Sequence, residues 1–113
     1  MTVKTLNIGS NRGKARLWIE GSFLRDAGFA HGDRYDVTVL PGRGLSIVHN
    51  PNGKRKIAGK PGREIIDITG KVLNQAGFNV GSRATLFAIT EERTINVATE
   101  SEIYYSGNRD VGL

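Results

Sequence analysis

The sequence predicts a mostly β, single-domain fold built from two copies of one unit that share a core. The chain has 113 residues, the length of one domain. The segment "GSFLRDAGFAHGD" at 21–33 returns as "GKVLNQAGFNVGS" at 70–82, 49 residues later. A unit of about 45 residues has too little core and too many open strand edges to fold alone. Two copies that pair their edges therefore predict an intrachain pseudo-dimer.

Ten residue pairs over positions 8–34 of the first half are identical when the two halves are aligned at the offset of 49, which indicates a duplication. Four of the ten are glycines, which suit positions where the backbone has a positive φ or approaches another chain segment closely. The identical pairs are Ile8/Ile57, Gly13/Gly62, Ile19/Ile68, Gly21/Gly70, Leu24/Leu73, Ala27/Ala76, Gly28/Gly77, Phe29/Phe78, Gly32/Gly81 and Arg34/Arg83. We predict one domain over 1–98, made of repeat 1 (4–49) and repeat 2 (53–98), and a C-terminal tail over 99–113.

Each repeat begins with a strand and a short helix. The β-branched and apolar runs "ARLWIE" (15–20) and "EIIDIT" (64–69) favour strands. The following "SFLRDAGF" and "KVLNQAGF" have apolar residues at helical spacing for one or two turns. Gly28 and Gly77 stand where a left-handed residue ends a helix, so both helices should end there.

A β-hairpin completes each repeat. The runs "DRYDVTVL" (33–40) and "SRATLFAI" (82–89) favour strands, and the turns "PGRG" and "TEER" lead into "LSIVH" (45–49) and "TINVA" (94–98). Leu45 aligns with Ile95 at an offset of 50, so the turn of repeat 2 should be one residue longer. The predicted core consists of the long apolar residues of both repeats. They are Leu17, Ile19, Phe23, Leu24, Phe29, Val37, Val39, Leu45 and Ile47, with Ile66, Ile68, Val72, Leu73, Phe78, Leu86, Ala88, Ile95 and Val97.

This order of strand, short helix, "AGF", Gly-Asp turn and hairpin resembles the SymE-like toxins and, more distantly, the AbrB and SpoVT superfamily of swapped-hairpin barrels. The resemblance covers roughly 15–49 and 64–98. It implies a small swapped-hairpin, AbrB-like β-barrel, formed here by two tandem strand–short helix–hairpin repeats in one chain. The sequence departs from the family pattern in its duplication, in Ser82 where repeat 1 has Asp33, and in the extension over 99–113.

The composition favours a polyanionic partner. Lys and Arg number 16 against 11 Asp and Glu, which gives a net charge of +5 and a pI near 9.9. The absence of cysteine excludes disulfides, thiolate metal sites and thiol nucleophiles. No apolar run approaches the roughly 18 residues of a membrane span, and the N-terminus lacks a secretory signal. We expect no membrane partner and a cytoplasmic protein, associated with the nucleoid if it binds DNA.

Two acid-free segments, 1–19 and 37–63, contain the candidate nucleic-acid-binding residues. The stretches "GSNRGKAR" (9–16) and "AGKPGRE" (58–64) are equivalent in the two repeats, so they should lie on one basic face. Glycine-rich loops dense in Lys and Arg approach phosphates closely; the alternative is a solvated linker. The candidates are Arg12, Lys14, Arg16, Lys54, Arg55, Lys56, Lys60 and Arg63, with Arg25 and Lys71 on the short helices as a possible extension.

Other side chains have no repeated partners. His31 and His49 do not recur in repeat 2, so we predict no metal site, no cofactor and no catalytic residue. Trp18 suits base stacking, a place on the outer face of the barrel or a protein contact. Tyr104 and Tyr105 suit docking of the tail on the barrel or a partner, and the alternative is a disordered tail. Arg34 and Arg83 recur at the start of the hairpins, where we expect them to stabilise the turn; the alternative is a second contact surface.

Three functions follow. The first is a non-enzymatic DNA-binding protein, a small transcriptional regulator or nucleoid-type factor, which grips phosphates of duplex DNA in preference to RNA. The SymE resemblance implies the second, an RNA-directed toxin. The third is a phage- or plasmid-encoded protein-interaction module that uses the tail or the Trp18 surface. Both a monomer with an internal pseudo-two-fold and a further homo-oligomer are compatible with the sequence.

Overall fold

The two repeats fold into the same elements in the same order in the computed structural model, which describes residues 1–103. Repeat 1 forms β1 Thr2–Asn7, β2 Gly9–Asn11, β3 Lys14–Glu20, α1 Ser22–Asp26, β4 Arg34–Leu40 and β5 Gly44–His49. Repeat 2 forms β6 Arg55–Lys56, β7 Ala58–Lys60, β8 Arg63–Thr69, α2 Lys71–Gln75, β9 Arg83–Ile89, a 3₁₀ turn Thr90–Glu92 and β10 Thr94–Thr99. The mostly β prediction is confirmed, as is the longer hairpin turn of repeat 2.

The strands form two antiparallel sheets in which each repeat pairs with the other. The six-stranded sheet has the order β1-β9-β10-β5-β4-β6, and the four-stranded sheet has the order β2-β3-β8-β7. The two hairpins join through β5 and β10, and β3 pairs with β8. The first strand of each repeat crosses to the hairpin of the other repeat, β1 to β9 and β6 to β4. Each repeat therefore covers strand edges that the other would leave open.

Neither sheet closes on itself, so the predicted closed barrel is corrected to two open sheets. The edge strands are β1 and β6 in one sheet and β2 and β7 in the other. The chain passes from one sheet to the other at Ile8 and Ile57, both buried. There the Ile8 N–H donates to the carbonyl of Ser82 and that of Ile57 to the carbonyl of Asp33. These bonds extend the β1–β9 and β6–β4 pairing by one residue, after which β2 pairs with β3 and β7 with β8 in the other sheet.

The strand register reveals a pseudo-two-fold relation between the repeats. Trp18 of β3 pairs with Asp67 of β8, its counterpart at the offset of 49. Ser46 of β5 pairs with Asn96 of β10, its counterpart at the offset of 50 that the longer turn creates. Because equivalent residues face each other in both sheets, the pseudo-two-fold axis crosses the four-stranded sheet at the first pair and the six-stranded sheet at the second.

The core lies between the two sheets and the two helices. All the predicted core residues are buried except Val37, Val39 and Val72, which pack against the core with partial exposure. Tyr35 joins the core, where burial raises the pKa of its phenol. The prediction omitted the buried alanines and the two corner isoleucines, because short side chains and strand ends give a weak apolar pattern. These omitted core residues are Ile8, Ala15, Ala27, Ile57, Ala76 and Ala84.

The repeated glycines end both helices as predicted. Gly28 and Gly77 have φ of 84° and 94°, in the left-handed region that glycine tolerates. The chain then returns the next N–H to the helix, from Phe29 to the carbonyl of Leu24 at 2.9 Å. The repeated "AGF" is thus a helix end that places a buried phenylalanine.

Each hairpin turn rests on the helix end of the other repeat. The Gly42 N–H donates to the carbonyl of Gln75 at 2.9 Å, and the Gly44 N–H donates to that of Ala76 at 2.9 Å. On the opposite side, Arg93 Nε donates to the carbonyl of Gly28 at 2.9 Å. These contacts satisfy carbonyls at the helix ends and lock the two repeats together.

Candidate nucleic-acid interface

Two short hairpins, β2–β3 and β7–β8, contain the equivalent basic stretches of the two repeats. Arg12 and Gly13 at the first tip both have positive φ, 53° and 79°, as a type I′ turn requires. The second tip has Pro61 followed by Gly62 at φ 84°, the pattern of a type II turn. The prediction that these stretches form the same element in both repeats is confirmed, although the turns differ in type.

The hairpin tips lie at opposite ends of the four-stranded sheet. Lys14 begins β3 and Arg63 begins β8, and these strands run antiparallel. Continuing the register places the two residues about eight positions apart, or about 26 Å at ~3.3 Å per residue. The two hairpins thus share one sheet, as expected, but they flank its centre instead of forming one contiguous patch.

Arg16 lies at the centre of that sheet and is already engaged. Its Nε and Nη2 donate to Oδ1 and Oδ2 of Asp67 at 3.0 and 2.9 Å, and its guanidinium lies 4.4 Å from the centre of the Trp18 ring. The hydrogen bonds to Asp67 raise the pKa of Arg16. Trp18 is 38% exposed. The predicted phosphate ligand Arg16 is therefore held by an acid, and a flat aromatic surface occupies the middle of the face.

Lys54, Arg55 and Lys56 lie on the other sheet. Arg55 and Lys56 form β6, the short edge strand beside β4 in the six-stranded sheet. The Lys54 N–H donates to Asp36 Oδ1 at 3.1 Å, and Asn50 Nδ2 donates to Asp36 Oδ2 at 2.7 Å. The bond from Asn50, with that from Lys54, lowers the pKa of Asp36. The acid-free stretch 37–63 thus divides between two sheets at Ile57.

The two helix residues proposed as an extension have different surroundings. Lys71 begins α2 at the end of the β3–β8 ladder, next to Lys14, whereas Arg25 is exposed in the last turn of α1. Arg34 Nε donates to the carbonyl of Gly53 at 2.8 Å, which agrees with its predicted role at the turn. Arg83 is exposed on β9.

An ionic cluster that the sequence did not suggest joins the repeats. Arg93 Nη2 lies 2.8 Å from Asp33 Oδ2, and His49 Nε2 lies 3.6 Å from Asp33 Oδ1. These residues are 60 and 16 positions from Asp33 in the chain, so no local spacing could reveal them. Within residues 1–103, no group of three or more His, Asp or Glu side chains is placed to hold a metal ion.

The C-terminal segment is described only at its start. Residues 100–103 are helical, and Arg43 in the first hairpin turn forms a two-pronged ion pair with Glu102, at 2.9 and 3.0 Å. Glu102 raises the pKa of Arg43. The predicted contacts of Tyr104 and Tyr105 lie outside the described residues.

None of the helices in the described part of the chain has the length and apolar character needed to cross a membrane. Comparison with known proteins gave no match to this chain among protein-family models, curated proteins or solved structures.

Proposed function

We propose that this chain is a non-enzymatic nucleic-acid-binding protein, a small DNA-binding regulator or nucleoid-type factor. It binds duplex DNA with the outer face of the four-stranded sheet. The observation that supports this most is the pair of equivalent basic hairpins, which flank one sheet across its pseudo-two-fold. A second support is the positive net charge of the chain, since phosphates neutralise clustered Lys and Arg.

The charges at the hairpins are available to a ligand. Arg12, Lys14, Lys60 and Arg63 are exposed, and none of them forms an ion pair within residues 1–103. The approximately 26 Å between the two hairpins equals about eight base pairs at ~3.4 Å each. A stiff duplex holds its phosphates at such a fixed spacing, whereas a flexible single strand does not. The rigid sheet therefore favours a duplex ligand.

We further propose that the two interleaved repeats are a tandem form of the swapped-hairpin fold. The crossing of β1 and β6 to the opposite hairpins supports this, as do the paired strands β3 and β8. Chains encoding 1–50 and 51–113 separately should then form a stable complex when mixed, because each supplies strand edges that the other lacks. Independent folding of either half, with no complex, would argue against it.

The DNA proposal is tested with the double variant Lys14→Ala/Arg63→Ala. Fluorescence anisotropy of a labelled 20-base-pair duplex across a salt series should show weaker binding. The slope of log affinity against log salt should fall by about two, because about one counterion is released per phosphate contact. Trp18 is the only tryptophan, so its fluorescence reports contact at the centre of the face.

Lys4→Ala/Arg83→Ala is the matched control. It removes the same charge from β1 and β9 of the six-stranded sheet and should leave the slope near that of the unmodified protein. Equal losses in both double variants would reduce the effect to net charge and overturn the assigned face. Single-stranded DNA and structured RNA serve as competitors, and tighter binding to either would overturn the duplex assignment.

A further inference from the structure

A cleft of about 310 Å³ opens at one end of the four-stranded sheet, between the β2–β3 hairpin, the start of α2 and the loop that follows α2. Its polar residues are Lys14, Lys71, Asn74 and Asn79, and Ala15 forms part of its wall. Among residues 1–103, no Asp or Glu lines it. Two lysines and two amides around one cavity form a surface that suits an anion.

The strand ladder brings the two lysines together. Arg16 pairs with Thr69, and one step further the Gly70 N–H donates to the carbonyl of Ala15 at 3.0 Å. The next step places Lys14 beside Lys71. Both are exposed, and neither takes part in an ion pair among the residues described. Two cations held together with no acid to neutralise them favour a negatively charged ligand.

The amides of the cleft are oriented by one another. Asn74 Nδ2 donates to the carbonyl of Phe78 at 3.0 Å and to Asn79 Oδ1 at 3.2 Å. Because Asn79 Oδ1 accepts the bond from Asn74, the Asn79 amide contributes Nδ2, its side-chain donor, to the cleft. The cleft therefore offers an amide donor besides its two ammonium groups.

The equivalent positions at the opposite end of the sheet carry different chemistry. The counterpart of Ala15 is Glu64, which is only 6% exposed and whose Oε2 has no hydrogen-bond partner in the described structure. The counterpart of Lys71 is Ser22, while that of Lys14 is Arg63. The counterpart of Asn74 is Arg25, so this end also has two cations, but it gains a buried carboxylate that opposes an anion.

We propose that the cleft beside Ala15 is a phosphate-binding subsite, and that Glu64 closes the equivalent position of the other repeat to anions. That the phosphate belongs to a nucleic-acid strand rests on the proposed function. A free phosphate group has the same chemistry, so the two sources are separated by experiment. The duplication would thus have produced one sheet with two similar hairpins and a single anion subsite at one end.

The first test uses inorganic phosphate as the probe and amide chemical shifts as the readout. Phosphate should shift Gly70, Lys71 and the Asn79 side-chain amide along one saturable curve. Ala15→Glu introduces the acid of the opposite end and should abolish this response. Lys71→Ser, a surface change that spares the core, should weaken it. Phosphate-induced shifts that are spread evenly over all exposed lysines would overturn the subsite. The same holds if both variants respond to phosphate as the unmodified protein does.

A gain-of-function variant tests the role of Glu64. Glu64→Ala combined with Ser22→Lys places the alanine and the helix lysine of the first cleft at the opposite end. We expect a second set of saturable shifts at residues 21–25, and two phosphates bound per chain. A variant that keeps its native spectrum but binds one phosphate would overturn the role assigned to Glu64.

The duplex from the salt series identifies the source of the phosphate. Lys71→Ser should weaken duplex binding and lower the salt slope by about one, whereas the matched change Lys4→Ser on β1 of the six-stranded sheet should not alter the slope. If the duplex binds normally to folded Ala15→Glu and Lys71→Ser, this inference fails and the proposed function stands. If the wild-type protein binds phosphate in the cleft but no duplex, the proposed function fails and the subsite stands for a free phosphate group.

Discussion

Trp18 and Asp67 pair across β3 and β8 at the point where the pseudo-two-fold crosses the four-stranded sheet. They are counterparts in the repeat, yet one is aromatic and the other acidic. Arg16 joins them by bonding Asp67 and stacking on Trp18. The divergence of one symmetric pair thus sets the charge at the centre of the proposed DNA face.

Asp67→Asn should strengthen duplex binding. It removes an acid from the face and frees Arg16 for a phosphate, so affinity should rise severalfold and the salt slope should increase by about one. Glu20→Gln on the neighbouring strand β3 removes the same charge but releases no arginine, and it should raise affinity less. Anisotropy titrations of both variants measure these affinities. An affinity of Asp67→Asn equal to or weaker than that of the unmodified protein would contradict the prediction.

Gly44→Ala should destabilise the fold far more than Gly42→Ala. Both glycines have positive φ in the same turn, which costs an alanine roughly 1 kcal/mol. A Cβ on Gly44 would also collide with the carbonyl oxygen of Val97, whereas one on Gly42 meets no atom of the described residues within 4 Å. Urea unfolding should show a loss of at least about 3 kcal/mol for Gly44→Ala. Similar losses of unfolding free energy in the two variants would show that β10 shifts to accommodate the added Cβ, and would contradict the prediction.

Glu64→Met should stabilise the protein. It replaces a buried carboxylate that has an unpartnered oxygen by an apolar chain of similar length, and an unsatisfied buried group costs roughly 1–3 kcal/mol. Glu20→Met, on an exposed position, should change the free energy of unfolding by less than about 0.5 kcal/mol. Chemical unfolding at pH 7 measures both, and a destabilised Glu64→Met would mean that the carboxylate contributes to the fold.

Acid should remove a contribution of Asp36 to stability. Its lowered pKa means that the fold favours the carboxylate over the neutral acid. This stability is present above the ordinary pKa of 3.8 and is lost as the pH falls through the lowered value. The melting temperature of Asp36→Asn should lie below that of the unmodified protein at pH 6, and the gap should shrink below about pH 4.

Asn50→Ala serves as the companion variant, because Asn50 supplies the strongest of the bonds that lower the pKa of Asp36. Its melting temperature should also approach that of the unmodified protein in acid. A gap that stays constant or widens as the pH falls would contradict the assignment.

Local sequence patterns predicted most elements of this fold. Gly28 and Gly77 ended the helices where the left-handed rule placed them, and the offset change from 49 to 50 revealed the longer turn. Apolar and β-branched runs predicted β3, β4, β5, β8, β9 and β10 and most of the core, but not the largely exposed strands β1, β2, β6 and β7. Such features depend on neighbouring residues, so a sequence carries them directly. Sheet closure does not depend on neighbouring residues. The prediction of a closed barrel was wrong, because the chain passes from one sheet to the other at Ile8 and Ile57 and the two sheets stay separate.

The candidate site depended more on tertiary structure. The sequence analysis placed Lys54–Lys56 on one face with Lys60 and Arg63. The chain crosses between the sheets at Ile57, so the two groups lie on different sheets. It counted Arg16 as a phosphate ligand, and only the pairing of β3 with β8 brings Asp67 to its guanidinium. The partners of Asp33 come from distant parts of the chain for the same reason.

The amino-acid sequence by itself determined the duplication, the order of strand, short helix and hairpin in each repeat, the helix ends and the two basic glycine-rich segments, because each is encoded within a few residues or in a fixed repeat offset. Only the tertiary structure decided which charges remain available, how far apart the hairpins lie, and that Ala15 and Glu64 make the two ends of one sheet different. Those properties arise from contacts between residues roughly 50 apart, where the pairing of strands, and no local pattern, sets the distance.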